Sequence, residues 1–376
     1  MTESAKPGTL SGILDQSTRT NHPTTVSGTT GAGMAARATP LAIWLGLLTL
    51  YLVWGSTYLG IKIAVESIPA FVMGAARFLV AGGLLLLWSV ARDGRDALRL
   101  TRRELRDSFL VGAALLGGGM GMVALGEQTV PSGITALLIA LMPAWLAVLG
   151  RIVFGDRLPI LVVVGIVVGL AGVAILVVPT DGRLALDPGG LAAVLLSPIS
   201  WASGSLYASH RAQLPRRPLV AAAVQMLSGA VVLGVASLAT GELASFQPAS
   251  VTASAGGALL YLIVVGSIVG YTTYGWLLRV APLPRIATYA YVNPVVAFIL
   301  GAILLGEPIS IRTVLAAVVI VVGVALIITA RSRLQAGAAA DAVATEVVPA
   351  DLVAAGIAGA RAAPVAPPHE AASARG

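Results

Sequence analysis

Ten long apolar stretches dominate this sequence and restrict what it can fold into. They cover residues 41–61, 70–91, 108–127, 132–150, 159–178, 190–208, 219–239, 255–277, 286–304 and 311–330. A helix needs about 20 mostly apolar residues to cross the roughly 30 Å hydrocarbon core of a bilayer. Residues 160–178 are apolar on every side, which differs from the alternating pattern of membrane β-strands. The stretches therefore predict an all-α integral membrane protein with ten transmembrane helices.

The composition excludes several classes of function. Only 11% of the residues are charged and 57% are hydrophobic, whereas a soluble domain carries about 25% charged residues. An ordinary soluble enzyme and a nucleic-acid-binding protein are therefore excluded. The sequence has no Cys, which removes disulfides and thiol chemistry. The glycines of residues 117–121 follow no strand and precede no Lys, so they do not form a phosphate loop. We predict no catalytic activity, no cofactor and no metal site.

The basic residues predict how the chain is oriented. If the N-terminus is cytoplasmic, sixteen arginines close to the stretches fall in inner segments, and only Lys62, Arg183 and Arg312 fall in outer ones. Positive charge favours the cytoplasmic side of a membrane. Both termini are therefore predicted to be cytoplasmic. Residues 1–40 are rich in Ser, Thr, Gly and Ala and are predicted to be a disordered tail; residues 334–376, rich in Ala and Pro, are predicted to form a second tail.

An internal repeat relates the two halves of the chain. Residues 131–160 align without a gap to residues 282–311, a shift of 151 positions that pairs Pro143 with Pro294. The same shift pairs Asp156 with Glu307, and each of these acidic residues follows a Gly in the turn after its helix. Residues 41–178 and 190–330 are thus predicted to be two five-helix units. An odd number of helices inverts the second unit in the membrane, which is a recurring plan of secondary transporters with the site at the repeat interface.

Several motifs resemble the EamA-like branch of the drug/metabolite transporter superfamily, and in particular its YedA-type bacterial permeases. They are residues 54–64, 69–78, 127–145, 197–207 and 289–310, and the resemblance covers roughly 41–330. The resemblance implies ten helices in two inverted bundles, cytoplasmic termini, and a central cavity that opens alternately to each side. It leaves the substrate open, because one scaffold serves many substrates.

Two charged residues within or near the stretches are candidates for function. Arg77 lies about 10 Å inside the second helix at 1.5 Å per residue. It could face a substrate carboxylate, or it could make a structural contact to loop or helix-end carbonyls near the outer surface. Glu127, at the outer end of the third helix, could bind a substrate amine or a coupling proton, since a carboxyl group in apolar surroundings binds protons more readily. Alternatively, it could be an exposed acid paired with Lys62.

Aromatic and amide side chains complete the predicted cavity lining. They are Trp54, Tyr58, Trp201, Tyr207, Tyr271, Tyr274, Tyr289, Tyr291 and Asn293. Trp and Tyr also form belts at membrane interfaces, which is the alternative reading of this group. Pro143 and Pro294 remove backbone donors, so they are predicted hinges or inherited packing kinks.

The function that these features favour is a secondary transporter of the bacterial cytoplasmic membrane. It would export small molecules such as amino acids, related metabolites or drug-like compounds. Its expected partners are the lipid bilayer and a small-molecule substrate, and a homodimer is possible. The alternatives are a non-transporting lipid or cell-envelope accessory protein of the same fold and a channel.

Overall fold

The computed structural model describes residues 39–156, 158–178, 186–281, 283–286 and 288–347. Every regular element in these ranges is a helix. The predicted N-terminal tail, up to residue 38, and the last part of the predicted C-terminal tail lie outside the described residues, as do Arg157 and Arg183.

Within these ranges, nine helices are long and apolar enough to cross a membrane, and a tenth apolar helix is shorter. In chain order, they are α1 (Pro40–Ala64), α2 (Ala70–Leu98), α3 (Arg102–Gly126), α4 (Ser132–Phe154), α5 (Ile160–Val177), α6 (Pro188–His210), α7 (Pro218–Ala239), α8 (Ala253–Leu277), the 17-residue α9 (Tyr289–Leu305) and α10 (Ile311–Val347). The short helices Glu242–Ser245, Pro248–Ser250 and Leu283–Ile286 lie in the connections.

Local sequence signals fix where several helices begin and end. Thr101 caps α3 through its side chain, and Glu104 returns the contact to the Thr101 backbone, which forms a capping box. Gly155 ends the helix before it with φ of 74°, and Gly306 does so with φ of 65°. These two glycines are partners under the 151-residue shift. Both adopt the left-handed conformation that favours Gly at a helix C-terminus.

Two helices differ from their predicted form. The sequence predicted one continuous helix over 132–150 with a kink at Pro143. In the structure, the first part of α4 ends at Ile139 and the second begins at Met142, which places Pro143 in a first turn. The missing N–H of Pro has no helical partner to lose there. The other difference is α10, which continues to Val347 although a loose tail was expected from residue 334. Ala-rich sequence has the highest helix propensity, which explains the extension.

Two helices contain π-helical segments of eight residues each. In α3 the segment is Ala113–Met120, and in α8 it is Leu262–Val269. Each widened turn shifts the register of the side chains that follow it, and such segments occur often at functional sites.

Glycines allow α5 and α10 to pack with their backbones close together. A Cβ atom on Gly323 would lie 2.6 Å from the Gly169 nitrogen and 2.7 Å from the Gly165 oxygen. Small residues permit this approach in membrane proteins. The opposite surfaces of the pair expose large apolar side chains, among them Ile160, Val167 and Ile311. Such a surface suits contact with lipid.

The helices α1, α3, α5, α7 and α9 end at one face of the protein, which we term the upper face. Charged side chains connect helix ends at this face through hydrogen bonds. Lys62 Nζ donates to the Glu127 carbonyl oxygen at 2.6 Å. Arg312 donates to the carbonyl oxygens of Ile175 and Val178, at the end of α5. Cations are favourable at helix C-termini, because the last carbonyl groups carry partial negative charge.

Two carboxylates on the same face accept hydrogen bonds from helix N-termini. Glu242 accepts from the Phe71 nitrogen at 2.8 Å, at the start of α2. Glu307 accepts from the nitrogen and Oγ of Ser132 at 2.7 and 2.9 Å, and from the Gly133 nitrogen at 3.2 Å, at the start of α4. Both carboxylates belong to the second half of the chain, and the helices whose N–H groups they accept from belong to the first half. They therefore connect the two halves at the upper face.

Candidate functional site

A central cavity lies among α1, α2, α3, α4, α6, α8 and α9. Clefts between the helices of a bundle are common small-molecule sites. The walls include seven of the predicted side chains and both predicted hinge residues. They are Trp54, Tyr58, Arg77, Trp201, Tyr271, Tyr289, Asn293, Pro143 and Pro294. The two halves of the chain thus enclose the cavity jointly.

Arg77 is a charged side chain in this mostly apolar wall. It is 3% exposed, and its Nε donates to Ser267 Oγ at 3.0 Å. No carboxylate of the described residues lies within salt-bridge distance of it. Ser267 belongs to the π-helical segment of α8, so this segment positions the guanidinium. A guanidinium with unused donors in a cavity wall can bind a carboxylate through two parallel hydrogen bonds.

Aromatic rings cluster around Trp54 in the half of the cavity nearer the opposite, lower face. The ring centroid of Trp54 lies 5.8 Å from that of Tyr271, 5.2 Å from that of Tyr274 and 5.1 Å from that of Tyr289. Gly270 makes room for the indole, because a Cβ atom there would lie 2.5 Å from Trp54 Nε1. The cluster offers apolar faces to the body of a ligand.

Asn293 and Pro294 bring backbone polarity to the wall of α9. With its side-chain amide turned so that the nitrogen donates, Asn293 lies 3.2 Å from the carbonyl oxygen of Tyr289 and 3.3 Å from that of Tyr51. The Tyr51 hydroxyl also hydrogen-bonds Thr288 Oγ1, which joins α1 to the start of α9. Pro294 lies inside α9 and has no N–H for the carbonyl group of Ala290, which also lines the cavity. That carbonyl group therefore lacks the donor that it would have in a regular helix.

Three of the predicted aromatic side chains do not line the cavity. The Tyr207 hydroxyl donates to Asp107 Oδ1 at 2.9 Å, close to the lower face. Tyr291 packs between α4 and α10, and Tyr274 lies behind Trp54 and Tyr289. Helix periodicity explains these positions, because neighbouring aromatic residues on one helix point in different directions.

Glu127 is enclosed next to the cavity and does not line it. It is 0% exposed, and neither carboxyl oxygen has a hydrogen-bond partner among the described residues. Val123, one turn earlier on α3, lines the cavity. Lys62 donates to the backbone carbonyl of Glu127 and lies beyond salt-bridge distance of the carboxylate. The exposed acid paired with Lys62, one of the two sequence interpretations, is not what the structure places there.

The structure also reveals polar residues that the sequence did not single out. Ser197 and Thr57 line the cavity, and Ser267 is the hydrogen-bond partner of Arg77. Near the lower face, Asp107 is 0% exposed and accepts from the Gln213 nitrogen at 2.8 Å and from Arg106. The sequence signal that could have identified Asp107 is an acidic residue directly after the basic segment 92–106. Among the described residues, no group of three His, Asp or Glu side chains could hold a metal ion.

Comparison with known proteins places this geometry in a family. Residues 41–178 and residues 188–329 each match the EamA-like transporter family. The inner membrane transporter YedA of Escherichia coli (strain K12) is 41% identical over 288 residues, which are 76% of this chain and 90% of that protein. A probable amino-acid metabolite efflux pump of Salmonella typhimurium is 26% identical over 285 residues, 73% of this chain and 91% of that protein.

One solved structure has a similar fold. It superposes with a TM-score of 0.55, covers 79% of this chain and 100% of its own, and is 21% identical. At that identity, the likeness concerns the fold alone.

Proposed function

The chain belongs to the EamA-like transporter family, and from this premise we propose that it is a secondary transporter that exports small metabolites such as amino acids or drug-like compounds. The resemblance to YedA-type permeases that the sequence motifs indicated is confirmed by the 41% identity to YedA. The protein is a multi-pass protein of the bacterial inner membrane.

The proposed architecture is ten membrane-spanning helices in two inverted units, with cytoplasmic termini. Three observations support the units: the double family match, the left-handed glycines at Gly155 and Gly306, and the π-helical segments of α3 and α8. The segments begin 149 positions apart, at Ala113 and Leu262. The arginine distribution supports the orientation, which makes the upper face the outer face.

The observation that carries the proposed function is Arg77 in the wall of a cavity enclosed by both units. A buried guanidinium that lacks a carboxylate partner is costly, and a ligand carboxylate would satisfy it. The Trp54 cluster would receive the apolar part of the ligand. A small molecule with a carboxylate at one end and an apolar body, such as an amino acid, fits both features.

Alternating access would require the two units to separate at one face while they meet at the other. Pro143 and Pro294 are the proposed hinges, because α4 is interrupted just before Pro143 and α9 lacks a hydrogen bond at Pro294. The contacts of Glu307 with Ser132 and Gly133 would have to break when the cavity opens to the outer face.

Uptake into inside-out vesicles tests this proposal. Vesicles that contain the protein should accumulate a radiolabelled amino-acid mixture in a saturable manner. Arg77→Gln should abolish the uptake while expression and folding are retained, and Arg77→Lys should retain part of it as a monodentate cation. Arg92→Gln is the matched control, because Arg92 lies on the same helix with its side chain 71% exposed.

Two results would contradict the proposal. If the wild type shows no saturable uptake of any compound, a lipid or cell-envelope accessory role becomes the better reading. If it shows conductance without saturation, the protein is a channel. Loss of folded protein in Arg77→Gln, with normal levels of Arg77→Lys, would assign Arg77 a structural role instead of ligand binding.

A further inference from the structure

We propose that Glu127 is the site at which the protein binds the proton that it exchanges for its substrate. The inference rests on the proposed transport function and adds the coupling ion to it. On binding, one proton from the outer aqueous side adds to a carboxylate oxygen of Glu127. On release, the same proton leaves toward the cytoplasm, and the carboxylate is restored.

The surroundings of Glu127 favour the neutral acid in the observed state. The side chain is completely buried, and both carboxyl oxygens lack hydrogen-bond partners among the described residues. A buried ionised carboxylate without partners is much less stable than a neutral carboxyl group in the same place. A proton on Glu127 removes that cost.

The helix end at which Glu127 lies adds to this preference. Glu127 follows the last residue of α3, and its backbone N–H donates to the Val123 carbonyl at 2.9 Å. The C-terminal end of a helix carries partial negative charge, which disfavours a second negative charge beside it. Burial and the helix end therefore act in the same direction.

The charged groups that interact with Glu127 come from three other parts of the fold. Lys62 on α1 and Arg77 on α2 favour the carboxylate, whereas Glu307 in the α9–α10 turn opposes it. The Tyr58 hydroxyl group, on the cavity wall, is a further titratable neighbour. Lys62, Arg77 and Glu307 are each held by hydrogen bonds to other helices or helix ends.

Those contacts explain how proton binding could be linked to transport. The Lys62 ammonium is engaged with carbonyl oxygens of residues 127, 128 and 130, and Arg77 is engaged with Ser267. Glu307 accepts a hydrogen bond from Ser132 at the start of α4, and opening of the upper face would break this contact. A change of state that frees a cation toward Glu127 or withdraws Glu307 would stabilise the carboxylate and release the proton. The proton affinity of Glu127 would therefore alternate with the conformation.

Two measurements test the inference, with Glu127→Gln as the neutral variant and Glu127→Asp as the titratable one. Infrared difference spectra of the protein in lipid vesicles should show a protonated carboxyl band that Glu127→Gln loses and Glu127→Asp retains. In inside-out vesicles, an acidic interior should accelerate uptake of the radiolabelled amino-acid mixture. Glu127→Gln should lose this stimulation completely and retain exchange of labelled for unlabelled amino acids.

Glu66→Gln is the matched control, because Glu66 is an exposed glutamate at the outer end of α1. It should keep both the infrared band and the stimulation. An infrared band unchanged in Glu127→Gln, or gradient-driven uptake equal to that of the wild type, would overturn the inference. A wild type that transports but gains nothing from the gradient would overturn this inference alone. A wild type that transports nothing would overturn the proposed function as well.

Discussion

Replacement of Glu307 by Gln should make the cavity easier to reach from the outer face. In the wild type, one carboxylate oxygen of Glu307 accepts from Ser132 and the other from the Gly133 nitrogen. The amide of Gln has a single acceptor oxygen, so its NH₂ group would face one of these donors. The variant also loses the negative charge at the N-terminus of α4.

The size of the effect follows from these two losses. A hydrogen bond to a charged group contributes about 1.5–3 kcal/mol, and a charge at a helix N-terminus contributes about 0.3–1 kcal/mol. Partial exposure of Glu307 reduces both values. We therefore expect the closed arrangement to lose about 2 kcal/mol, which corresponds to a roughly 30-fold change in the opening equilibrium.

The absence of Cys from the sequence makes the measurement direct. Ala140→Cys places a single thiol in the cavity wall. In spheroplasts, a membrane-impermeant maleimide should label this thiol about 30 times faster when Glu307→Gln is added. Glu66→Gln in the same background should leave the rate unchanged. Equal labelling rates with and without Glu307→Gln would refute the idea that this contact holds the outer face closed.

Three further substitutions test the packing and the cavity. Gly323→Ala should destabilise the protein in detergent by about 1–3 kcal/mol, because its Cβ atom would meet the backbone of α5; an unchanged Tm would contradict the close approach. Asp107→Asn should lower the Tm, because its NH₂ group would face donors from Gln213, Tyr207 and Arg106; Asp96→Asn, at an exposed position, is the control. Gly270→Ala should displace the Trp54 ring and raise the KM for amino-acid uptake without lowering the amount of folded protein; an unchanged KM would show that the indole does not contact substrate.

The helical architecture was accessible from sequence because the bilayer imposes one requirement on every span. An apolar run of sufficient length has to form its backbone hydrogen bonds within itself. The same reasoning predicted that Arg77 makes contacts within the protein, since an Arg in such a run has to avoid lipid. Its partner Ser267 could not be predicted, because it lies 190 positions away and depends on how α2 packs against α8.

The predicted and the observed site differ mainly in the directions in which side chains point. Tyr207 and Trp201 belong to the same helix and looked equivalent in sequence, yet Trp201 lines the cavity and Tyr207 reaches Asp107. Glu127 lies at a helix end where either exposure or burial was possible. The packing of the neighbouring helices determines whether Glu127 is exposed or buried, and this packing cannot be read from the local sequence. For Pro143, the residue type indicated an irregularity, but whether the helix kinks or stops depends on the same packing.

The π-helical segments of α3 and α8 contribute to a difference in polarity between the two ends of the cavity. Their sixth residues are Gly118 and Ser267. At Gly118 the missing side chain makes room for Ser200, whereas Ser267 extends its hydroxyl to Arg77. Ser267, the partner of the guanidinium, thus has no hydroxyl counterpart at the matching position of α3. The cavity is polar toward one face and aromatic toward the other. A molecule with a charged head and an apolar body would be held in a single orientation. Under the proposed export and orientation, it would leave head first.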